Sequence, residues 1–169
     1  MTIFGDRIFT PHLELKRIES EDLGLLVRWG SDPLAYGSYL TPERYSLEQL
    51  RGQWASGSLW SERNKIMLIQ LHDGTAIGTI HYWLRTEAPG TAVVAIKIAC
   101  PEYRSKGYGT EAQKYLVIFL FNRMNLRSIE MYTDINNLSQ QHCLKKLGFE
   151  LMDSMNYDDH GVSRTGHIY

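Results

Sequence analysis

Residues 13–18, LELKRI, alternate apolar and polar side chains, the period-two pattern of a short strand. Ser20, Asp22 and the apolar series Leu23, Leu26 and Val27 predict a capped helix that stops near Gly30, where SDP turns the chain. Ser46 predicts a second helix cap, with Leu47, Leu50 and Trp54 on one face. KIMLIQL at 65–71 and AIGTIHYWL at 76–84 read as strands joined by the hairpin signal HDGT. TAVVAIKIAC at 91–100 is β-branched and mostly apolar, as a central strand is, and Pro101 ends it because proline cannot donate to a ladder.

The period then changes. Tyr108, Ala112, Tyr115, Leu116 and Phe119 fall at helical spacing, predicting a helix to about Met124, roughly 25 Å long. RSIEMYTD at 127–134 alternates as one strand. A shorter helix follows over 136–146, with Gly148 placed for a left-handed C-cap. Residues from Phe149 onward and 163–169 form a last pair of strands. The order β-α-α-β-β-β-α-β-α-β-β predicts an α/β (α+β) layered fold: a mostly antiparallel mixed sheet flanked by helices, in a single domain spanning 1–169.

Composition supports a soluble, cytoplasmic globular chain. Of 169 residues, 43% are hydrophobic and 22% charged, enough to bury a core. A net charge of −1 gives no global electrostatic case for nucleic acid or an anionic membrane. The longest apolar run, 115–121, is too short to span a bilayer, and the start lacks the pattern of a signal peptide. Cys100 and Cys143 read as reduced core thiols. His12, His72, His81, His142, His160 and His167 form no pair at i, i+4, so no metal is expected.

The chemistry concentrates in CPEYRSKGYGTEAQKYL at 100–116. A strand precedes it, and a long helix starts on the second glycine. A helix start leaves N–H groups without acceptors and carries partial positive charge. Glycines let a ligand approach the backbone, and Arg104 and Lys106 add mobile cations. Together these suit a phosphate or diphosphate. Taken alone, the same segment also reads as a tight strand-to-helix turn with a solvated basic edge. It lacks the G-K-[ST] ending of a P-loop, and it lacks the third glycine and downstream acid of a dinucleotide fingerprint.

PEYRSKGYGTEA resembles the signature of the GNAT superfamily of N-acetyltransferases, Arg/Gln-x-x-Gly-x-Gly/Ala, through Arg104, Gly107 and Gly109. NLSQQHCLKKLGF, at 137–149, is similar to the family's later element. The segment LELKRIESEDLGLLVRWGSDP resembles the Rim-type branch, which acetylates ribosomal proteins. The resemblance covers about 13–149. It implies acetyl-CoA as co-substrate, its diphosphate held by the N–H groups of Arg104, Ser105, Lys106, Gly107, Tyr108 and Gly109, with Thr110 beside them. It also implies that the edge of Lys97-Ile98-Ala99 pairs with the pantetheine arm, since pantetheine carries two amides and can mimic a strand. Asn137 matches the asparagine near the pantetheine, and Lys146 a position near the nucleotide end.

Family chemistry is direct attack of a primary amine on the acetyl thioester. The acceptor is then a peptide N-terminus, a polyamine or another small amine. A proton must leave the amine, and an N–H near Ala99 or Cys100 is placed to stabilise the developing oxyanion. The common glutamate of the central strand is missing from AVVAIKI, and the common tyrosine is replaced by Leu144. Ser139 is the candidate proton donor, with helix capping as its alternative role. Tyr132, Glu102 and His81 are also conceivable, and proton removal through ordered water is favoured. Trp29, Tyr36, Tyr39, Tyr45, Trp54 and Trp60 either wall an acceptor pocket or pack two helices. The acidic run at 153–161 either attracts cationic amines or is a solvated loop. A non-catalytic acyl-CoA-binding or sensing module is the alternative to an enzyme, and a homodimer is left open.

Overall fold

The computed structural model describes residues 2–4, 6–159 and 161–169; His160 lies outside them. One sheet runs in the order β1 (Thr2–Phe4), β2 (Arg7–Phe9), β3 (Leu13–Arg17), β4 (Asn64–Leu71), β5 (Ala76–Leu84), β6 (Thr91–Ile98), β7 (Ser128–Glu130). Every pairing is antiparallel until β7 joins β6 in parallel. A smaller sheet places β10 (Val162–Ile168) between β8 (Tyr132–Asp134) and β9 (Asp153–Asp159). The expected layered α/β architecture is therefore present, with β1 and β2 added.

Five helices cover the two faces. α1 (Leu23–Ser31), α2 (Pro33–Tyr36) and α3 (Leu47–Ser56) pack on one face, where Leu23, Trp29, Tyr36, Leu50 and Leu68 share a buried cluster. α4 (Tyr108–Arg123) and α5 (Leu138–Lys146) cover the other, where Ala112, Leu116, Leu120 and Leu144 meet Ile80, Tyr82, Ala92 and Val94. α2 replaces the expected plain turn. Pro33 sits in its first turn, where a missing N–H costs nothing, and Asp32 caps it by accepting from Leu34 N–H at 3.0 Å. Ser46 caps α3 as expected, in a reciprocal box with Gln49.

The expected strand over 127–134 is broken at Met131. Its first half pairs with β6. Met131 then exchanges backbone bonds with Tyr169, and β8 pairs with β10 instead. A continuous alternation in sequence cannot signal a change of partner. The change leaves the second half of β6 without a strand on one side, and that gap positions the site.

Candidate active site

Ala99 N–H donates to Ile77 O at 2.8 Å, so the peptide groups of Ala99 point toward β5. The N–H and C=O of one residue share a side of a strand, and its neighbours take the other. Lys97 therefore also faces β5, whereas Ile96 and Ile98 turn theirs to the open side. Arg104 Nε takes Ile98 O there at 2.8 Å. β7 follows β6 only as far as Val93. Beyond it the strands diverge around a cleft of about 420 Å³. Both peptide groups of Ile96 and the N–H of Ile98 face this wedge, which no strand fills.

The start of α4 borders the same cleft. Ser105 (φ 59) and Gly107 (φ 86) both adopt the left-handed region. Glycine does so freely, whereas the serine costs about 1 kcal/mol, the kind of strain found where a ligand is gripped. Glu111 N–H is the first in the helix to reach an acceptor, Gly107 O at 3.0 Å. The N–H groups of Tyr108, Gly109 and Thr110 are left for other partners. A Cβ built on Gly109 lies 3.8 Å from Ile98 Cγ1 and 3.9 Å from Ile96 Cδ1, so the helix start sits directly over the open edge of β6.

Arg104 is not the mobile cation expected. Its guanidinium donates to Ile98 O, to Leu34 O at 2.7 Å and to Ala35 O at 3.2 Å, clasping α2 to the end of β6. Gln113 is 1% exposed; its side chain and that of Gln140 exchange hydrogen bonds of 2.7 and 3.3 Å and join α4 to α5 across the wedge. Asn137 Oδ1 caps α5 by accepting from Gln140 N–H at 3.2 Å, so the capping role considered for Ser139 belongs to Asn137. Ser139 is exposed at the cleft wall, and Cys143, expected in the core, also lines it, with Thr110 Oγ1 3.0 Å from its sulfur.

Of the expected site residues, Lys97, Ile98, Arg104, Ser105, Gly107, Gly109, Thr110, Asn137 and Ser139 line the cleft. Ala99, Lys106, Tyr108 and Lys146 do not. Ala99 is buried among α1–α3 residues, Lys106 and Lys146 are exposed, and Tyr108 packs beside Tyr103. Ala99 N–H and Cys100 N–H both donate to Ile77 O, so neither faces an oxyanion in the wedge. Tyr132 bonds Glu130, Glu102 is exposed, and neither borders the cleft.

A second cavity of about 220 Å³ adjoins the first on the α1–α3 face; Tyr36, Leu40, Ile96 and Lys97 border both. Its walls include Leu26, Leu50, Leu59 and Ile66, and its polar groups include Glu43, Tyr45 and His81. The aromatic set divides. Tyr36 and Tyr45 line this cavity, Tyr39 lines the cleft, Trp29 is core, Trp54 donates to Ile18 O, and Trp60 lies beneath Arg17 and Lys65.

Glu43 was not legible as a cavity residue: a lone carboxylate in TPERY has no motif. Gly30 gives it room, since a Cβ there would lie 2.4 Å from Glu43 O. Tyr45 OH donates to Glu43 at 2.8 Å, and burial together with this carboxylate raises the phenol above its usual range, keeping it a neutral donor. Burial lowers His81 to about 4 against the opposing charge of Glu43, so the ring is neutral at pH 7. Burial likewise pulls the Lys97 ammonium down, again opposed by Glu43.

A splayed sheet, an unpaired strand edge and a helix start aimed into one cleft suit a ligand that carries both amides and phosphate. Residues 12–150 match the family model of the acetyltransferase (GNAT) domain, and the chain belongs to that family. It is an acetyl-CoA-dependent acetyltransferase. The uncharacterized N-acetyltransferase p20 of Bacillus licheniformis is 24% identical over 152 residues, covering 86% of this chain and 83% of the relative. Two solved structures share the fold. The ribosomal-protein α-N-acetyltransferase RimL bound to coenzyme A has a TM-score of 0.82 at 16% identity, covering 97% of this chain and 96% of that one. The aminoglycoside acetyltransferase AAC(6')-Ib with coenzyme A and kanamycin has a TM-score of 0.72 at 21% identity, covering 93% and 94%. Among the described residues no group of His, Cys, Asp or Glu could hold a metal ion, and no helix is long and apolar enough to cross a membrane.

Proposed function

We propose that this acetyltransferase moves the acetyl group to a primary amine that enters through the second cavity, by direct attack on the thioester. The observation that carries this reading is the meeting of two cavities at Ile96 and Lys97, one bordered by a free strand edge and a helix start, the other apolar with a single carboxylate, Glu43. The peptide groups of Ile96 and the N–H of Ile98 pair with the amides of pantetheine. The N–H groups from Ser105 to Thr110 receive the diphosphate, and Lys106 and Lys146 flank the nucleotide end. Asn137 holds the start of α5 against the pantetheine.

The amine arrives as an ammonium, with an ordinary pKa near 10 for an alkyl amine, and must lose a proton before it attacks. Glu43 attracts the cation and takes that proton, directly or through water. The nitrogen–carbon bond forms as the carbon–sulfur bond breaks, and the second proton of the attacking nitrogen passes through water to Ser139, on the cleft wall, as Ser139 gives its own to the departing thiolate. Arg104 acts indirectly, by fixing α2 to β6. The free thiols of Cys100 and Cys143 favour a cytoplasmic setting for this chemistry.

The apolar lining of the second cavity favours an amine with a compact apolar body, such as a peptide N-terminus with a small first residue, over a polycation that would need several carboxylates. Thiol release from acetyl-CoA with a panel of such peptides, simple monoamines, polyamines and aminoglycosides tests this. Turnover with monoamines or peptides above the others is expected. Turnover confined to polycations overturns the acceptor assignment, and no turnover with any amine, by protein that binds coenzyme A, overturns the reaction.

A further inference from the structure

Lys97 is the one lysine lining either cavity among the described residues, and it lines both. Its Nζ lies 4.0 Å from the centroid of the Tyr36 ring, on the side of β6 away from α4. The other lysines are otherwise engaged or outside the site: Lys16 pairs with Asp22 at 3.3 Å, Lys65 lies over Trp60, and Lys106, Lys114, Lys145 and Lys146 are exposed. Partial burial raises the share of free amine at neutral pH above that of a surface lysine, and Glu43 borders the same cavity. A nucleophilic amine, a carboxylate and the strand edge assigned to pantetheine thus meet within one chain.

We propose that Lys97 is a self-acetylation site, modified by bound acetyl-CoA when the acceptor cavity is empty. This rests on the acetyl-CoA reading of the cleft. Lys97 Nζ attacks the thioester carbon, the nitrogen–carbon bond forms and the carbon–sulfur bond breaks. The amine proton passes to Glu43 and, through water, to the departing thiolate, giving acetyl-lysine and free coenzyme A. The acetyl group removes the cation from the face of Tyr36 and fills the junction between the cavities. The modified enzyme is then closed to acceptor, so a surplus of acetyl-CoA over amine switches transfer off.

The test is incubation of the whole protein with acetyl-CoA alone, followed by peptide mass mapping, with coenzyme A binding followed by thermal shift in the same samples. One acetyl group is expected on Lys97, well ahead of exposed Lys106, Lys114, Lys145 and Lys146. It should be absent in Lys97→Arg, slowed about a hundredfold in Glu43→Gln, and suppressed by excess acceptor amine. Three results overturn the proposal. The first is an unmodified Lys97 in protein that binds coenzyme A and acetylates added amine, which leaves the transferase reading standing. The second is equal modification in heat-unfolded protein, which marks solution chemistry. The third is no binding of coenzyme A at all, which removes both readings together.

Discussion

Gly109→Ala and Gly107→Ala separate a glycine that the turn can spare from one that it needs. The φ of Gly109 is not positive, and the added methyl group would meet Ile98, Ile96 and Gln113 at 3.8–4.0 Å, ordinary contact distances. Position 109 lies in the first turn of α4, where alanine loses less chain entropy than glycine. The fold should therefore gain up to about 1 kcal/mol, which raises Tm by about 3 °C in a domain of this size. The added methyl group lies toward Ile96 and Ile98, and the signature matched by this turn admits alanine at the position, so coenzyme A binding should stay near that of the parent. Losing one charge-assisted hydrogen bond to the diphosphate, as a distorted turn at Gly107 would, costs about 2 kcal/mol, which weakens coenzyme A binding about thirtyfold. Differential scanning fluorimetry and titration calorimetry on the same preparation read both quantities. Gly107→Ala is the contrast: at φ 86 a side chain is strained by about 1 kcal/mol, so stability should fall along with affinity. A Gly107→Ala protein that binds coenzyme A as the parent does would refute the diphosphate assignment.

Further expectations follow from the same geometry. His81 is held near 4 in the folded state against an ordinary 6.5, so the unfolded chain takes up its proton first as pH falls. Stability should be level above about pH 6.5 and decline by about 3 kcal/mol on the way to pH 4, a slope that denaturant titrations of His81→Phe should lack. Arg104→Ala should cost about 2 kcal/mol in urea unfolding and raise the KM for acetyl-CoA, because three carbonyls lose their donor. A higher KM with unchanged stability would make Arg104 a phosphate ligand instead. Leu144→Tyr should raise no rate and should lower stability by about 1–3 kcal/mol, since Leu144 is 0% exposed in the core. Ser46→Ala should cost about 1 kcal/mol by removing the cap of α3, without affecting coenzyme A binding.

The parts of the site that could be read from the sequence are local ones. Gly107, Gly109 and the helical stripe from Ala112 to Leu120 specify a tight turn and an amphipathic helix within a few residues of one another, and both are present. Gly148 at φ 87 ends α5 for the same local reason. What could not be read depends on partners distant in sequence. SIEMYTD alternates without interruption, yet Met131 leaves β6 for Tyr169. Arg104 beside Lys106 looked like a second free cation until the carbonyls of α2 were brought to it. β1, β2 and α2 are too short for periodicity to reveal, and Glu43 stands in a loop with no pattern.

The strand KIAC shows how one missing fact exchanges the roles of neighbours. Its residues alternate sides, so a single bond, Ala99 N–H to Ile77 O, fixes the orientation of every peptide group back to Ile96. Sequence locates the strand but leaves that parity open, and the choice decides whether Lys97 offers its backbone to pantetheine or its side chain to the acceptor cavity. Gly78 reinforces the choice: a Cβ there would lie 2.0 Å from Lys97 O, so β5 closes on this carbonyl as only glycine permits. Replacing Gly78 would loosen the register that turns Ile96 and Ile98 outward. A residue on the far side of β6 therefore controls the edge that faces the cleft. Gly78→Ala should weaken coenzyme A binding in proportion to the stability it costs, while Gly109→Ala uncouples the two.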